Sequence, residues 1–259
     1  MLVIAGSDSG GGAGIQGDIK TITALGAYAA TAITALTVQN TTGVSCSHPI
    51  PAKIITDQIN AVLSDIGADA IKTGMLVSAG VARAVADALR HYGEIPLVVD
   101  TVMSAKGGTA LLDDNGVDAL QTYLFPAATL ITPNIPEAER LTGRSIGHPE
   151  EMVAAAEKLR QSGARAVLVK GGHLAGDTVT DILLDESGVY RFSVPRLANR
   201  STHGTGCALA SAIATGLAKG LPLHSAVEMA REFVRSAIAG GLPFGRGTGP
   251  INHLHTTGK

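Results

Sequence analysis

The residues best suited to chemistry lie together near the end of the chain, in residues 201–209 with the sequence STHGTGCAL. Gly204 and Gly206 leave room for the backbone to wrap around an anion, and the small, apolar residues 205–219 predict a buried helix that begins there. The free N–H groups of a helix's first turn and its dipole both favour an anion at that point. Cys207 lies in the same turn, where the pKa of a thiol tends to fall, and it is a candidate base or nucleophile. A plain helix start with a small buried cysteine would have the same sequence, so the rest of the chain must decide.

Two kinds of chemistry are open to Cys207. A thiol hydrolase using His203 is disfavoured, because Gly206 directly precedes Cys207 and no G-x-C-x-G nucleophile elbow is present. A glycine-flanked helix start beside several acids fits phosphoryl transfer better. That reaction needs electrostatic stabilisation of the migrating group, Mg²⁺ held by acids, and a base near the accepting hydroxyl.

The elements that must position this turn alternate along the chain. Short apolar, β-branched runs alternate with amphipathic helical patterns, which predicts an α/β fold with a mostly parallel central sheet and helices on both faces. The strands are predicted at residues 2–5, 31–38, 70–72, 97–100, 130–132 and 166–170, and the helices at 15–25, 53–66, 79–91, 117–124, 150–161, 205–219 and 223–239. Residues 181–184 and 189–194, joined by a Glu-Ser-Gly turn, predict a β-hairpin near the sheet's edge. No linker or low-complexity stretch divides the chain, so we expect one domain over residues 1–259.

Polar residues follow every predicted parallel strand. Ligands of such folds bind beyond the carboxyl ends of the strands, so acids, amides and a lysine at one rim indicate a polar ligand there. Polar residues at a single strand end would be ordinary turn chemistry, but six together are not. The six runs continue as GSDS at residues 6–9, QN at 39–40, TGM at 73–75, DT at 100–101, TPN at 132–134 and KGGH at 170–173.

Three of these side chains, together with Glu137 just beyond the fifth run, are candidates for binding a phosphate or a metal. Asp100 ends an otherwise apolar strand, where a carboxylate is costly unless it is paired or bound to a cation. Asn134 and Glu137 suit a hydrated Mg²⁺, or simply the start of a helix with proline near its first position. Lys170 suits a phosphate, or is a strand-end lysine that extends to solvent.

The sequence GAGIQG at residues 12–17 matches the dinucleotide pattern G-x-G-x-x-G, but its context does not. The preceding strand stops too early and no acid closes the next strand, so a nicotinamide enzyme is disfavoured, and no P-loop lysine is present. Asp18 follows this turn, and its spacing alone favours a solvated acid in the first turn of a helix.

Composition excludes several other classes. A net charge of −2 and only 3% aromatic residues give no basis for binding nucleic acid or an anionic membrane. The two cysteines, Cys46 and Cys207, are too far apart for a disulfide framework or a metal motif. Cys46 is expected in a partly buried loop, and His253 and His255 in a solvated tail. With no signal peptide or membrane-spanning run, a cytoplasmic protein is the expectation.

Seven segments together resemble the bacterial hydroxymethylpyrimidine/phosphomethylpyrimidine kinases. The segments are AGSDSGGGAGIQ at residues 5–16, TALTVQNT at 34–41, KTGML at 72–76, VDTVM at 99–103, ITPN at 131–134, KGGH at 170–173 and THGTGC at 202–207. The resemblance covers essentially the whole chain in order. It implies a ribokinase-like three-layer sandwich and an enzyme of thiamine biosynthesis. Such an enzyme phosphorylates hydroxymethylpyrimidine and then its monophosphate, using ATP and Mg²⁺, and is often a homodimer.

The resemblance also implies a role for each matching residue. Gly204, Thr205 and Gly206 would form an anion hole and Cys207 would be the base. Gly6, Asp18, Gln39, Met75 and Val102 would bind the pyrimidine, Asn134, Lys170 and Thr202 the nucleotide, and Asp100 and Glu137 the metal ion. The chain departs from the family at Ser201, where an asparagine is usual, and at Gly17, where alanine is common. A pyridoxal kinase of the same superfamily and a non-catalytic pyrimidine sensor are the alternative functions.

Overall fold

The computed structural model describes residues 1–105 and 107–256. Within these residues, nine strands form one sheet, accompanied by eight α-helices. The strands are β1 (Leu2–Asp8), β2 (Ala30–Asn40), β3 (Gly43–Pro49), β4 (Ile71–Thr73), β5 (Leu97–Val99), β6 (Leu130–Ile131), β7 (Val167–Val169), β8 (Thr178–Asp185) and β9 (Gly188–Pro195). The helices are α1 (Gly14–Ala24), α2 (Ala52–Asp65), α3 (Ala79–Leu89), α4 (Asp114–Ala119), α5 (Ile135–Thr142), α6 (Pro149–Arg160), α7 (Thr205–Ala218) and α8 (Leu223–Ala239).

The strands lie in the order β3-β2-β1-β4-β5-β6-β7-β8-β9. The six strands from β2 to β7 in this order are parallel, and β3, β8 and β9 are antiparallel additions at the two edges. The predicted parallel sheet and edge hairpin are therefore confirmed. Because the chain runs outward from β1 to β2 and then returns to β4 on the other side, the strand order reverses at β1. Ligands of open α/β sheets bind at such a reversal.

Two hydrophobic cores cover the two faces of the sheet. Along β1, Leu2 and Ile4 pack into the core beneath α2 to α6, whereas Val3 and Ala5 pack into the core beneath α1, α7 and α8. This alternation follows from the two-residue period of a strand. The three-layer arrangement predicted from the sequence is thus confirmed. No helix in the described ranges combines the length and the apolarity needed to cross a bilayer.

Two local expectations were wrong, and one predicted helix is partly π-helical. Cys46 lies exposed on β3, a strand that was not predicted because both of its faces are largely exposed and its sequence does not alternate. The helix predicted at residues 117–124 is α4 followed by a π-helical turn at Leu120–Leu124. His253 is buried, with 4% of its surface exposed, rather than part of a solvated tail, and His255 packs against Phe233.

Candidate active site

A cavity of about 750 Å³ lies at the carboxyl ends of the parallel strands. It brings together side chains from β1, β2 and the loops after β4, β5, β6 and β7, which are far apart in the sequence. Every predicted site residue except Asp18 lines it. These residues are Gly6, Gln39, Met75, Asp100, Val102, Asn134, Glu137, Lys170, Thr202, Gly204, Thr205, Gly206 and Cys207.

Gly204 is the residue that lets α7 begin inside this cavity. Its φ is +89°, and a Cβ there would lie 1.8 Å from the carbonyl oxygen of Gly12, so only glycine fits. Gly204 is also the N-cap of α7, and no side chain caps the helix. The first-turn N–H groups of Thr205, Gly206 and Cys207 have no intrahelical acceptor, and they remain available to an anion in the cavity.

Asp8 organises the glycine-rich turn that follows β1. Its Oδ1 accepts the N–H of Gly10 (2.8 Å), and its Oδ2 accepts the N–H groups of Ala13 (2.8 Å) and Gly12 (3.2 Å). Nε2 of His203 also donates to Oδ2, at 2.8 Å. Although burial opposes ionisation, these hydrogen bonds hold the pKa of Asp8 below its ordinary value. The glycines therefore wrap a buried carboxylate of the protein itself, which explains the failed match to a dinucleotide site.

The thiol of Cys207 does not have the low pKa that its helix position predicts. Burial raises its pKa to about 12, and this effect outweighs the nearby Lys72 ammonium and the N–H of Gly14, which donates to the sulfur. Asp18 and Asp100 raise the pKa further. To act as a base, Cys207 must first lose its own proton, so a nearby cation must stabilise the thiolate.

Asp100 and Lys170 form an ion pair beside the start of α7. Nζ of Lys170 lies 3.0 Å from Oδ1 of Asp100, which also accepts the hydroxyl of Thr132 at 3.2 Å. Although burial opposes its charge, Lys170 and Lys72 hold the pKa of Asp100 below its ordinary value. A Cβ on Gly206 would lie 3.4 Å from Nζ of Lys170, so the ammonium reaches the anion-binding turn. Lys170 is thus held in the cavity and does not extend to solvent.

Asn134 and Glu137 form a capping box at the start of α5. Oδ1 of Asn134 accepts the N–H of Glu137 (2.9 Å), and Oε2 of Glu137 accepts the N–H of Asn134 (2.8 Å) and the hydroxyl of Thr101 (3.0 Å). Burial raises the pKa of Glu137 to about 7. The helix-start interpretation is therefore correct, and it does not exclude a second role, because both residues also line the cavity.

The donor set suits a hydrated Mg²⁺. Within the described ranges, Oδ2 of Asp100 and Oε1 of Glu137 accept no hydrogen bond, so each carboxylate keeps one oxygen for a cation or its waters. No group of three or more His, Cys, Asp or Glu side chains gathers around a metal position in the described part of the chain. Mg²⁺ commonly keeps several waters and takes few protein ligands, so the residues present fit it.

Gly6, Gln39, Met75 and Val102 line the side of the cavity formed by β1, β2 and the loops after β4 and β5. A Cβ on Gly6 would lie 3.1 Å from the sulfur of Met75, so Gly6 leaves room for that side chain. The Gln39 amide lies 3.4 Å from the His203 ring and accepts the hydroxyl of Thr37 at 3.2 Å. A flat, partly polar heterocycle suits this surface.

Asp18 lies beneath this surface and does not line it. Its carboxylate is fully buried, accepts two hydrogen bonds from Lys72 (2.9 and 3.0 Å) and one from Ser211 (2.7 Å), and has no surface left for a ligand. The interpretation as a solvated acid is therefore wrong. The sequence offered a signal, because Lys72 stands in an apolar strand and a buried ammonium requires a partner.

The opposite side of the cavity was not predicted. It is formed by β9, the segment that follows β9, and α8, and its lining combines apolar residues with three arginines. None of these residues belongs to a glycine or acid motif, so their role depends on a packing arrangement that sequence spacing does not show. The apolar residues here are Val194, Pro195, Leu197, Val234 and Ile238.

The sequence of the chain matches the phosphomethylpyrimidine kinase family over residues 8–252. It is 54% identical over 255 residues to the thiamine biosynthesis bifunctional protein ThiED of Geobacter sulfurreducens, covering 98% of this chain and 52% of that protein, so the chain spans about half the length of this relative. It is 48% identical over 257 residues to the hydroxymethylpyrimidine/phosphomethylpyrimidine kinase of Rhizobium meliloti, covering 98% and 96% of the two chains.

The structure resembles the pyridoxal kinase of Staphylococcus aureus solved in complex with AMP-PCP and pyridoxal. The TM-score is 0.91 at 35% identity, over 98% of this chain and 93% of that chain. Together, the sheet, the glycine turn at the start of α7 and the cavity define a ribokinase-like phosphotransferase. Within that class, the chain belongs to the phosphomethylpyrimidine kinase family.

Proposed function

We propose that this protein phosphorylates hydroxymethylpyrimidine on its hydroxymethyl group and then phosphorylates the monophosphate, with ATP and Mg²⁺, in thiamine biosynthesis. The observation that carries the proposal is a single cavity that spans the sheet, with Gln39 at the β2 side and Lys170 at the β7 side. α7 packs against β4 and β5, in the middle of that order, so Cys207 and the Gly204 turn lie between the two sides.

Cys207 is the proposed base. The reacting form of Cys207 is the thiolate: as the hydroxymethyl oxygen attacks the γ-phosphorus, the thiolate sulfur takes the hydroxyl proton, so an O–H bond breaks and an S–H bond forms. A P–O bond to the substrate forms while the P–O bond to ADP breaks, and ADP leaves with that electron pair. The N–H groups of Thr205, Gly206 and Cys207 stabilise the charge on the transferring group, and the thiol then returns its proton to solvent.

The nucleotide phosphates are assigned to Asn134, Lys170 and Thr202, and a hydrated Mg²⁺ to Asp100 and Glu137. When bound, the cation neutralises charge on the phosphate oxygens. Lys170 adds a second positive charge from the protein, held in place by Asp100 at 3.0 Å. The capping box holds the Glu137 carboxylate at the start of α5 and so limits the positions of its free oxygen.

A coupled ADP-release assay with hydroxymethylpyrimidine, its monophosphate and pyridoxal tests the activity, with products identified by phosphorus NMR. We expect turnover of both pyrimidines and a higher kcat/KM for hydroxymethylpyrimidine than for pyridoxal. The S. aureus structure makes pyridoxal the specific rival substrate. Pyridoxal as the better substrate would assign a pyridoxal kinase, and pyrimidine binding without ADP release would assign a sensor.

The role of Cys207 is tested by replacing each of the protein's two cysteines in turn. Cys207→Ala should lower kcat on the order of 10²–10⁴-fold while pyrimidine binding, measured by calorimetry, is retained. Cys46→Ala is the matched control, since Cys46 lies exposed on β3 and should leave kcat unchanged. Near-normal turnover of Cys207→Ala would remove the proposed base.

We also infer a homodimer formed through the outer face of β2 and β3. Leu36 (48% exposed) and Val38 (61% exposed) alternate with Thr37 and Gln39, which face inward, and Val38 pairs with Cys46 on β3. Such an apolar strip on an edge ribbon fits a second copy of the same surface.

Light scattering tests the homodimer: the parent protein should give a dimer mass and Val38→Lys a monomer mass. Ile66→Lys, at an exposed residue just after α2, is the control and should remain dimeric.

A further inference from the structure

Lys72 is a fully buried lysine to which the proposed function assigns no role. It lies on β4 at the floor of the cavity, and its side chain, like that of Asp18, has no exposed surface. Its ammonium donates to both carboxylate oxygens of Asp18, at 3.0 and 2.9 Å. An ammonium has three protons, so this arrangement leaves one that does not bind Asp18.

Two further observations place the Lys72–Asp18 pair under the first two turns of α7. Ser211 donates to Oδ1 of Asp18 at 2.7 Å, and Ser211 lies four residues after Cys207, on the same face of the helix. A Cβ on Gly74 would lie 2.8 Å from Nζ of Lys72, so the glycine after β4 leaves the space that the ammonium occupies. The pair therefore joins β4 and α1 to the face of α7 that carries the cysteine.

We propose that Lys72 is a positioning residue for the phosphoryl transfer, which stabilises negative charge on the sulfur of Cys207 from the floor of the cavity. The inference rests on the proposed role of Cys207 as the base. A thiol in this position needs a nearby cation, because its reactive form is the thiolate and the transferring phosphates are anionic.

The charges around Cys207 favour Lys72 for this task. Lys170, after β7, also attracts negative charge on Cys207, while Asp18 on α1 and Asp100 after β5 oppose a thiolate. Lys72 opposes the rise in the pKa of Cys207 more strongly than the Gly14 N–H does. Although burial disfavours its charge, Asp18, Cys207 and Asp100 keep the pKa of Lys72 above its ordinary value, so the ammonium stays charged.

Alkylation of Cys207 by iodoacetamide tests this in a Cys46→Ala background, where Cys207 is the remaining cysteine. Asp18→Asn, which keeps the ammonium, is compared with the double variant Lys72→Met/Asp18→Asn, which also avoids leaving a lone buried carboxylate. At about pH 8, alkylation should be roughly tenfold or more slower in the double variant, since one pKa unit is a tenfold change in thiolate. kcat should fall in the same comparison.

Equal alkylation rates in the two folded variants across the pH series would overturn the inference. If the double variant does not fold, Asp18→Asn is compared with the Cys46→Ala protein. Faster alkylation then supports an effect of the pair's charges on the thiol, and an unchanged rate overturns it. Failure of the proposed function is distinguishable, because an active Cys207→Ala would remove the base while the effect of Lys72 on thiol reactivity is still measured.

Discussion

Asp8 and His203, separated by 195 positions, are joined by a 2.8 Å hydrogen bond from Nε2 to Oδ2. The bond connects the glycine turn after β1 to the glycine turn before α7. Between the two turns the backbones touch, since Gly204 has no room for a Cβ against Gly12. The anion-binding end of α7 is therefore held by the same carboxylate that shapes the loop after β1.

Replacing this carboxylate should loosen both turns. In Asp8→Asn, one acceptor oxygen becomes an NH₂ group that faces either the N–H of Gly10 or the donors of Gly12, Ala13 and His203. We expect the free energy of unfolding to fall by about 1–3 kcal/mol, because a buried donor is left without a partner. KM for the pyrimidine should rise as well. Urea denaturation and steady-state kinetics measure the two effects, and a variant with parent-like stability would show that the turns are held by other contacts.

Gly204 and Gly172 form a matched pair for testing the backbone at the start of α7. Both line the cavity, but a Cβ on Gly172 meets nothing within 4 Å, whereas a Cβ on Gly204 meets Gly12 at 1.8 Å with φ at +89°. Gly204→Ala should cost about 1–3 kcal/mol in backbone strain alone and lower kcat by displacing the N–H groups. Gly172→Ala should change neither quantity. Similar melting temperatures and rates for the two variants would contradict this account.

Asn134 combines a structural and a proposed binding role, and two substitutions separate them. Asn134→Ser keeps an oxygen that can cap α5 but removes the amide NH₂, so stability should stay near that of the parent while KM for ATP rises. Asn134→Ala removes both and should also lose about 1 kcal/mol of stability. Thermal unfolding and ATP titrations provide the readouts. An unchanged KM for ATP in the serine variant would limit Asn134 to capping.

The parts of the site that sequence reasoning could predict lie at strand and helix ends. Asp100, Asn134 and Lys170 follow apolar runs directly, and Gly204 precedes a long run of small residues. Because parallel strands bring their carboxyl ends to one edge, residues in such positions are gathered by the fold itself. Their convergence on one cavity needed no knowledge of strand order.

The buried pairs could not be predicted in this way, because each depends on which elements are neighbours. Asp18 meets Lys72 only because β4 returns beside β1 beneath α1 and α7. The pKa of Cys207 is a further case. Its position at a helix N-terminus favours a low pKa, but burial at the cavity floor raises the pKa instead. Burial depends on how the layers assemble, which the sequence around Cys207 does not show.

His253 shows the same limitation in the segment after α8. The sequence predicts a polar tail, but the ring lies against the start of α1, where a Cβ on Gly17 would come within 3.3 Å of its Nε2. Within the described residues Nε2 has no hydrogen-bond partner. Burial lowers the pKa of His253 from 6.5 to about 4, with the nearby Lys20 acting in the same direction. The folded protein therefore holds a neutral imidazole that the unfolded chain would protonate.

This difference predicts how stability depends on pH. Between about pH 6.5 and about pH 4 the unfolded chain binds the proton first, so stability is lost as the pH falls through this window, by up to roughly 3 kcal/mol. His253→Gln cannot take up the proton and should show a shallower decline, whereas His91→Gln, at an exposed histidine, should follow the parent. Urea denaturation of the three proteins at matched pH values measures the slopes. Apart from the replaced histidine, the three proteins carry the same titratable groups, so the difference between the slopes reports on His253. Parallel curves for His253→Gln and the parent would show that the burial of His253 does not limit stability in acid.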